Sequence, residues 1–234
     1  MKIKKLIGNN FLSRAVFKKF LPYMPREILQ EFMGYESLSP IEQFATKGYN
    51  SFLYQGLRIE KDECALVLGG YLGASISEWR RRFDCDVIAF EPIPEYAKKL
   101  RSEFRADEKV LIEEFAVSAH EGFIELGIEG EATGQYSNSP AKFKVASKDI
   151  SKVVSEAGES LKVLEMNIEG GEYENLESLI LTRAISKIPT LLVQFHRYSL
   201  KEELRRAQIR SELELTHKCV FEFPWVWERW DRKE

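Results

Sequence analysis

The chain is poor in cysteine and histidine and lacks any long apolar run, and each shortage removes a class of protein. Cys64, Cys85 and Cys219 are the only cysteines in 234 residues, and no C-x-x-C pair occurs. A disulfide framework and a zinc ribbon are therefore excluded, and a reduced, cytoplasmic compartment fits. No stretch approaches the roughly 18 apolar residues of a membrane-spanning helix, and no cleavable leader is evident. His120, His196 and His217 are the only histidines, none at metal-ligand spacing, so no bound metal is expected. A G-x-S-x-G elbow, a P-loop, internal repeats and low-complexity tracts are all missing.

What is present fits one well-cored domain. The chain is 44% hydrophobic, long enough for a single α/β domain and short for two. Charge is unevenly placed: residues 1–26 hold seven basic side chains and no acid, leaving the rest at −10 against an overall −3. Phe11, Leu12, Ala15, Val16 and Phe20 interleave with those charges at near-helical spacing. This segment reads as a helical cap with a solvated basic face, or as a peripheral contact with an anionic membrane. No aromatic-basic RNA motif or helix-turn-helix accompanies it, so nucleic acid is not an expected partner. Pro22, Pro25 and Pro40 punctuate the first sixty residues, which are expected to form a helical cap or lid over 1–60 ahead of the main domain at 61–234.

The main domain opens on a strand, a glycine turn and a helix. Cys64 to Leu68 is a short apolar run between charged residues and glycine, the pattern of a buried parallel strand. Gly69, Gly70 and Gly73 make the turn, with Tyr71 inside it, and Ile76, Trp79 and Phe83 then recur at helical spacing. A second run, Val87 to Phe90, ends in Glu91, twenty-two positions after Gly69. In doubly wound folds an acid about 20 residues past the glycine turn accepts hydrogen bonds from a cofactor ribose. Tyr71 occupies the position where a G-x-G-x-x-G fingerprint has its second glycine, which argues against a pyrophosphate and for a ligand such as S-adenosylmethionine.

Further along, strand and helix alternate as a parallel sheet requires. Val110 to Ile112, Val163 to Ile168 and Thr190 to Phe195 read as strands, and Leu200 to Leu215 as a long helix. Cys219 to Phe223 and Val226 to Trp230 read as a closing pair, giving a seven-stranded, mostly parallel sheet with an antiparallel closing strand. Between Gly122 and Ser147 an inserted β-hairpin is expected, its connection (130–140) rich in turn formers and hydroxyls and suited to an active-site flap. Strands four and five end in Asn167-Ile168-Glu169-Gly170-Gly171-Glu172 and Gln194-Phe195-His196-Arg197. Those ends face the edge that carries Gly69 and Glu91, where such sheets bind ligands. Glu172 begins the next helix, where the dipole favours a carboxylate for structural reasons alone. His196 has the pKa range of a general base for a hydroxyl.

These residues together resemble the FkbM-type S-adenosylmethionine-dependent methyltransferases over about residues 48–230. The resemblance rests on L-V-L-G-G-Y-L-G (66–73), V-I-A-F-E-P (87–92), A-V-S-A-H-E-G (116–122), T-G-Q-Y-S-N-S (133–139), L-E-M-N-I-E-G-G-E-Y (164–173) and L-V-Q-F-H (192–196). It implies a Rossmann-like class I methyltransferase fold and methylation of a hydroxyl on a sugar, glycan or secondary metabolite. It implies further that Gly69, Gly70, Tyr71 and Gly73 wrap the cofactor's methionine and ribose, and that Glu91, followed by Pro92, binds the ribose hydroxyls. Ala116 and Val117 would lie beside adenine, and Ser137 of the flap, also a cofactor-binding candidate, would lie near the acceptor site. Glu169 and His196 would orient or deprotonate the acceptor, and Asn167 would hydrogen-bond there. The chain departs from the family pattern at Val67, at Gly70-Tyr71, at Glu165-Met166-Asn167 and at Gln194, where relatives carry an aspartate, a small residue with asparagine, K-x-D and a glutamate. Two readings stay open, an active O-methyltransferase and a cofactor-binding module that serves as a partner or scaffold; Tyr71 disfavours a third, a nicotinamide-dependent oxidoreductase.

Overall fold

The apolar run after Glu63 forms β1 (Cys64–Leu68), in which every residue is buried. It lies mid-sheet, covered on both faces, which is why it reads as continuous rather than alternating. The computed structural model describes residues 40–127 and 142–234. Basic residues 1–26, most of the expected 1–60 cap and the flap with Ser137 lie outside the described residues. The chain divides into two compact units, 1–52 and 53–234. In the first, α1 (Pro40–Thr46) starts on a proline, whose fixed φ suits a first helical turn, and buries Phe44. A single turn, α2 (Asn50–Leu53), leads across the boundary.

The second unit continues with α3 (Ala74–Arg82), β2 (Asp86–Phe90), α4 (Pro94–Glu103), β3 (Val110–Glu113), β4 (Ala116–Ser118), β5 (Gly122–Gly127) and β6 (Lys142–Asp149). It ends with α5 (Ile150–Ala157), β7 (Leu161–Met166), α6 (Glu172–Leu181), β8 (Thr190–Val193), α7 (Leu200–Thr216), β9 (His217–Phe223) and β10 (Trp227–Arg232). The main sheet has the order β3-β2-β1-β7-β8-β10-β9. Its first five strands are parallel, and β10 runs antiparallel to both its neighbours. The expected α/β sheet of seven strands with one antiparallel closing strand is the sheet observed.

Alternation along each strand divides the core between the two faces. Leu66, Leu68, Leu164, Met166, Leu191 and Val193 pack with α5, α6 and α7. Ala65, Val67, Val87, Ala89, Val163 and Leu192 pack with Ile76 and Trp79 of α3 and Ala97 and Leu100 of α4. The closing strands bring in a buried acid, Glu228, which pairs with Arg206 and Arg210 of α7 and accepts from Trp230 Nε1 at 2.8 Å. Such burial requires paired charge, because a lone desolvated carboxylate is costly.

The insertion departs from expectation in one respect. The sequence predicts a two-stranded hairpin, and a three-stranded sheet of order β4-β6-β5 is found. The third strand is Ala116–Ser118, parallel to β6. A three-residue run of small side chains has no periodicity to read, so only tertiary pairing makes it a strand. No helix among the described residues is long and apolar enough to cross a membrane.

Candidate functional site at the carboxyl edge of the sheet

The glycine turn is tied to the neighbouring strand. The N–H groups of Gly69 and Gly70 both donate to the Phe90 carbonyl, at 3.0 and 3.1 Å. Gly69 (φ 94°) and Gly73 (φ 84°) adopt left-handed backbone. A Cβ on Gly69 would lie 2.2 Å from the Asn167 carbonyl oxygen, and one on Gly70 2.8 Å from a Leu100 methyl. Gly69 is therefore demanded by the protein's own backbone packing, before any ligand is considered, whereas at Gly70 only a leucine side-chain end would have to yield. Tyr71 also has positive φ (42°), and its ring meets Tyr96 edge-on at 5.0 Å.

Glu91 is buried and already engaged. Its Oε2 accepts from the Tyr71 N–H of the glycine turn at 2.7 Å and its Oε1 from the Ile93 N–H, just past Pro92, at 2.9 Å. Burial pushes its carboxyl up, and the two N–H groups pull it back. Each oxygen retains a lone pair, so the acid can brace the turn and still accept a hydroxyl. Ala116 shares an apolar cluster with Ile93, which places it next to the Glu91-Pro92 corner. Val117 instead faces the main core, and its carbonyl accepts from Asn175 Nδ2.

At the end of β7, the Asn167 N–H donates to Leu68 O at 3.1 Å, holding that residue against the glycine turn. Its side-chain Oδ1 is buried without a hydrogen-bond partner. A buried acceptor lacking a donor costs about 1–3 kcal/mol, and a ligand ammonium or hydroxyl beside the turn would satisfy it. Asn167 thus falls with the glycines rather than with the residues that follow it.

Those residues form a second constellation. Glu169 has φ 50° and is followed by Gly170 at φ 99°. Its Oε1 lies 3.1 Å from His196 Nε2, and its Oε2 accepts from the Tyr198 hydroxyl at 3.4 Å. The other ring nitrogen, His196 Nδ1, is 3.1 Å from Oε1 of Glu172. Burial on its own would depress the imidazolium, but hydrogen bonds to the two carboxylates raise the His196 pKa to about 10. His196 therefore carries both ring protons at neutral pH. In that state the ring is a hydrogen-bond donor on both sides, to Glu169 and to Glu172.

Two further acids escaped sequence reasoning. In the sequence a helix N-terminal position alone accounts for Glu172, whereas its contact with His196 lies 24 residues away. Glu165 sits within an apolar run, yet it pairs in register with Val67 of the central strand β1. Buried, it accepts from the Ser75 hydroxyl and, at 2.7 Å, from Trp79 Nε1 in the first turns of α3. Desolvation pushes its carboxyl up, and both donors oppose that shift. A buried carboxylate thus stands on that face of the central strands, on β7. The only sequence signal was an acid one residue inside the end of a buried strand.

No protein-family profile matches the chain, and no curated protein matches it. Among solved structures it is similar to a protein assigned as an rRNA methylase from Clostridium thermocellum, with TM-score 0.50 and 6% identity over 81% of this chain and 96% of that one. Fibrillarin in its complex with Nop5p aligns with TM-score 0.46 and 15% identity, over 80% of this chain and 81% of that one. The CurJ carbon methyltransferase aligns with TM-score 0.44 and 8% identity, over 94% and 70%. The fold is the Rossmann-like fold of class I methyltransferases. At these identities the likeness reaches the fold and no further.

Proposed function

We propose that this protein is an S-adenosylmethionine-dependent O-methyltransferase of the FkbM type, acting on a hydroxyl of a sugar, glycan or secondary metabolite. The observation that carries this reading is the glycine turn braced by Glu91 beside the orphaned Oδ1 of Asn167. Gly69, Gly70, Tyr71, Gly73 and Asn167 would hold the methionine and ribose portion, Glu91 and Pro92 the ribose hydroxyls, and Ala116 and Val117 the adenine side. The bound cofactor supplies an electrophilic methyl group whose former bonding pair stays on sulfur. Glu169 takes the proton of the acceptor hydroxyl, and His196 holds the Glu169 carboxylate in place. Because methyl transfer demands alignment above all, such positioning supplies much of the rate.

Calorimetric titration with S-adenosylhomocysteine, followed by an acceptor screen, tests the reading. Wild-type protein should bind, and Glu91→Ala should weaken binding by about tenfold or more. An absence of binding at millimolar ligand would refute the proposal. A second reading is favoured by Val67, which leaves β1 without its acid: a cofactor-binding module that acts as partner or scaffold. Binding without methyl transfer to any glycan acceptor would select it. Peripheral attachment of a cytoplasmic protein through basic residues 1–26 is a separate proposal, resting on the charge asymmetry of the sequence. It fails if the intact chain ignores vesicles containing anionic lipid.

A further inference from the structure

The Glu169 turn is strained, and something buried must hold it. A non-glycine residue at φ 50° followed by glycine at φ 99° leaves the backbone N–H groups of the turn without strand partners. Glu172, whose side chain is 0% exposed, supplies those partners. Its Oε1 accepts from the Ile168 N–H at 2.7 Å and its Oε2 from the Gly170 N–H at 2.8 Å, one on each side of Glu169. The same Oε1 lies 3.1 Å from His196 Nδ1, and the far side of that ring reaches Glu169 Oε1, also at 3.1 Å. One carboxylate therefore grips the backbone of Glu169 directly and its side chain through an imidazole. The Tyr173 hydroxyl, on the residue after Glu172, donates to the His196 carbonyl at 2.6 Å and anchors the histidine backbone to the same helix.

We propose that Glu172 is the positioning residue of the acceptor site, fixing Glu169 and His196 as one unit in which the Glu169 carboxylate receives the acceptor's hydroxyl proton. This rests on the O-methyltransferase reading. The arrangement makes chemical sense because exposure rises outward along the chain of contacts, from Glu172 at 0% through His196 at 15% to Glu169 at 21%. The inner acid never meets substrate, and the outer one does. Glu172 accepts three hydrogen bonds on its two oxygens in a dry place, and together with Glu169 it favours the charged form of His196. His196 then donates to Glu169 Oε1, which leaves Glu169 Oε2, beside the Tyr198 hydroxyl, to receive the acceptor's proton. The groups facing the His196 ring are Glu169, Glu172, Gln194 and Tyr198. Of these only the two glutamates favour its charged form.

The test is nitrogen-detected NMR of His196 in the intact protein, run beside S-adenosylhomocysteine titration and turnover. In the wild type both His196 nitrogens should be protonated at about pH 8, and Glu172→Gln should lower the titration midpoint by about two units. The same variant should lose about fiftyfold or more in kcat while its affinity for S-adenosylhomocysteine stays within about threefold. Glu177→Gln, on the outer face of α6 where it pairs with Arg205, should change neither. An unmoved His196 midpoint in a folded Glu172→Gln protein overturns the proposal. If that variant does not fold, the wild-type spectrum decides, since a singly protonated His196 at about pH 8 refutes the coupling. Wild-type protein that binds no S-adenosylhomocysteine removes the methyltransferase reading instead, with the His196 titration still legible.

Discussion

The backbone N–H of Tyr71 donates to Oε2 of Glu91 at 2.7 Å, joining the turn after β1 to the end of β2 through a side chain. The acid proposed to bind the ribose is thus also a strut of the turn proposed to hold the rest of the cofactor. Loss of Glu91 should therefore be visible without ligand. Glu91→Ala orphans the N–H groups of Tyr71 and Ile93, and we expect a loss of about 2–4 kcal/mol in stability, read from urea unfolding. Glu91→Gln keeps one acceptor and should fall between. A variant that binds S-adenosylhomocysteine weakly at unchanged stability would show that the strut carries no load.

Gly69 and Gly56 make a matched pair, since both have positive φ, at 94° and 73°. A Cβ at Gly56 meets nothing within 4 Å, whereas one at Gly69 lies 2.2 Å from the Asn167 carbonyl oxygen. Gly56→Ala should cost only the left-handed penalty of about 1–2 kcal/mol. Gly69→Ala must also push β7 away from β1, and should cost about 3 kcal/mol or more. Thermal denaturation of the two variants side by side checks this, and equal costs would mean the turn yields freely.

Much of this frame was legible because it depends on local pattern. β1 is apolar throughout, and the helix after Gly73 shows Ile76 and Trp79 at helical spacing, so strand, turn and helix follow from residues within twenty positions. Glu91 was legible for the same reason, as the first acid after an apolar run. What escaped depends on register and on distant contact. Glu165 could be recognised as the carboxylate facing Val67 only once β1 and β7 were paired. His196 looked like a base because nothing near it in sequence announces that Glu169 and Glu172 flank its ring from another strand's end. Ala116–Ser118 is a strand only because β6 lies beside it.

The His196 proton should appear in the stability profile. Its folded pKa of about 10 lies above the ordinary 6.5. The stabilisation it brings is therefore fully present below about pH 6.5 and lost as pH rises towards about 10. Urea midpoints of wild type and His196→Asn, taken at several pH values across that window, should converge at the alkaline end. The difference between the proteins isolates His196 from the tyrosines and lysines that titrate nearby. Parallel profiles would show that the two carboxylates do not hold the proton.

Glu165 gives the opposite sign for a carboxylate. Burial raises its folded pKa above the unfolded value, so its ionisation opposes folding, and the wild type loses stability as pH climbs through that folded pKa. Glu165→Gln keeps an acceptor for the Ser75 hydroxyl or Trp79 Nε1 and carries no charge into the core. We expect this variant to equal or exceed the wild type in melting temperature at about pH 8 and to lose that advantage near pH 4, where both side chains are neutral. Trp79→Phe takes a donor from a buried acid and should cost about 1–3 kcal/mol at neutral pH, mostly abolished in the Glu165→Leu background because the acceptor is gone. Additive costs in the double variant would mean that Trp79 contributes through packing alone and that the acid beside Val67 depends on Ser75 instead.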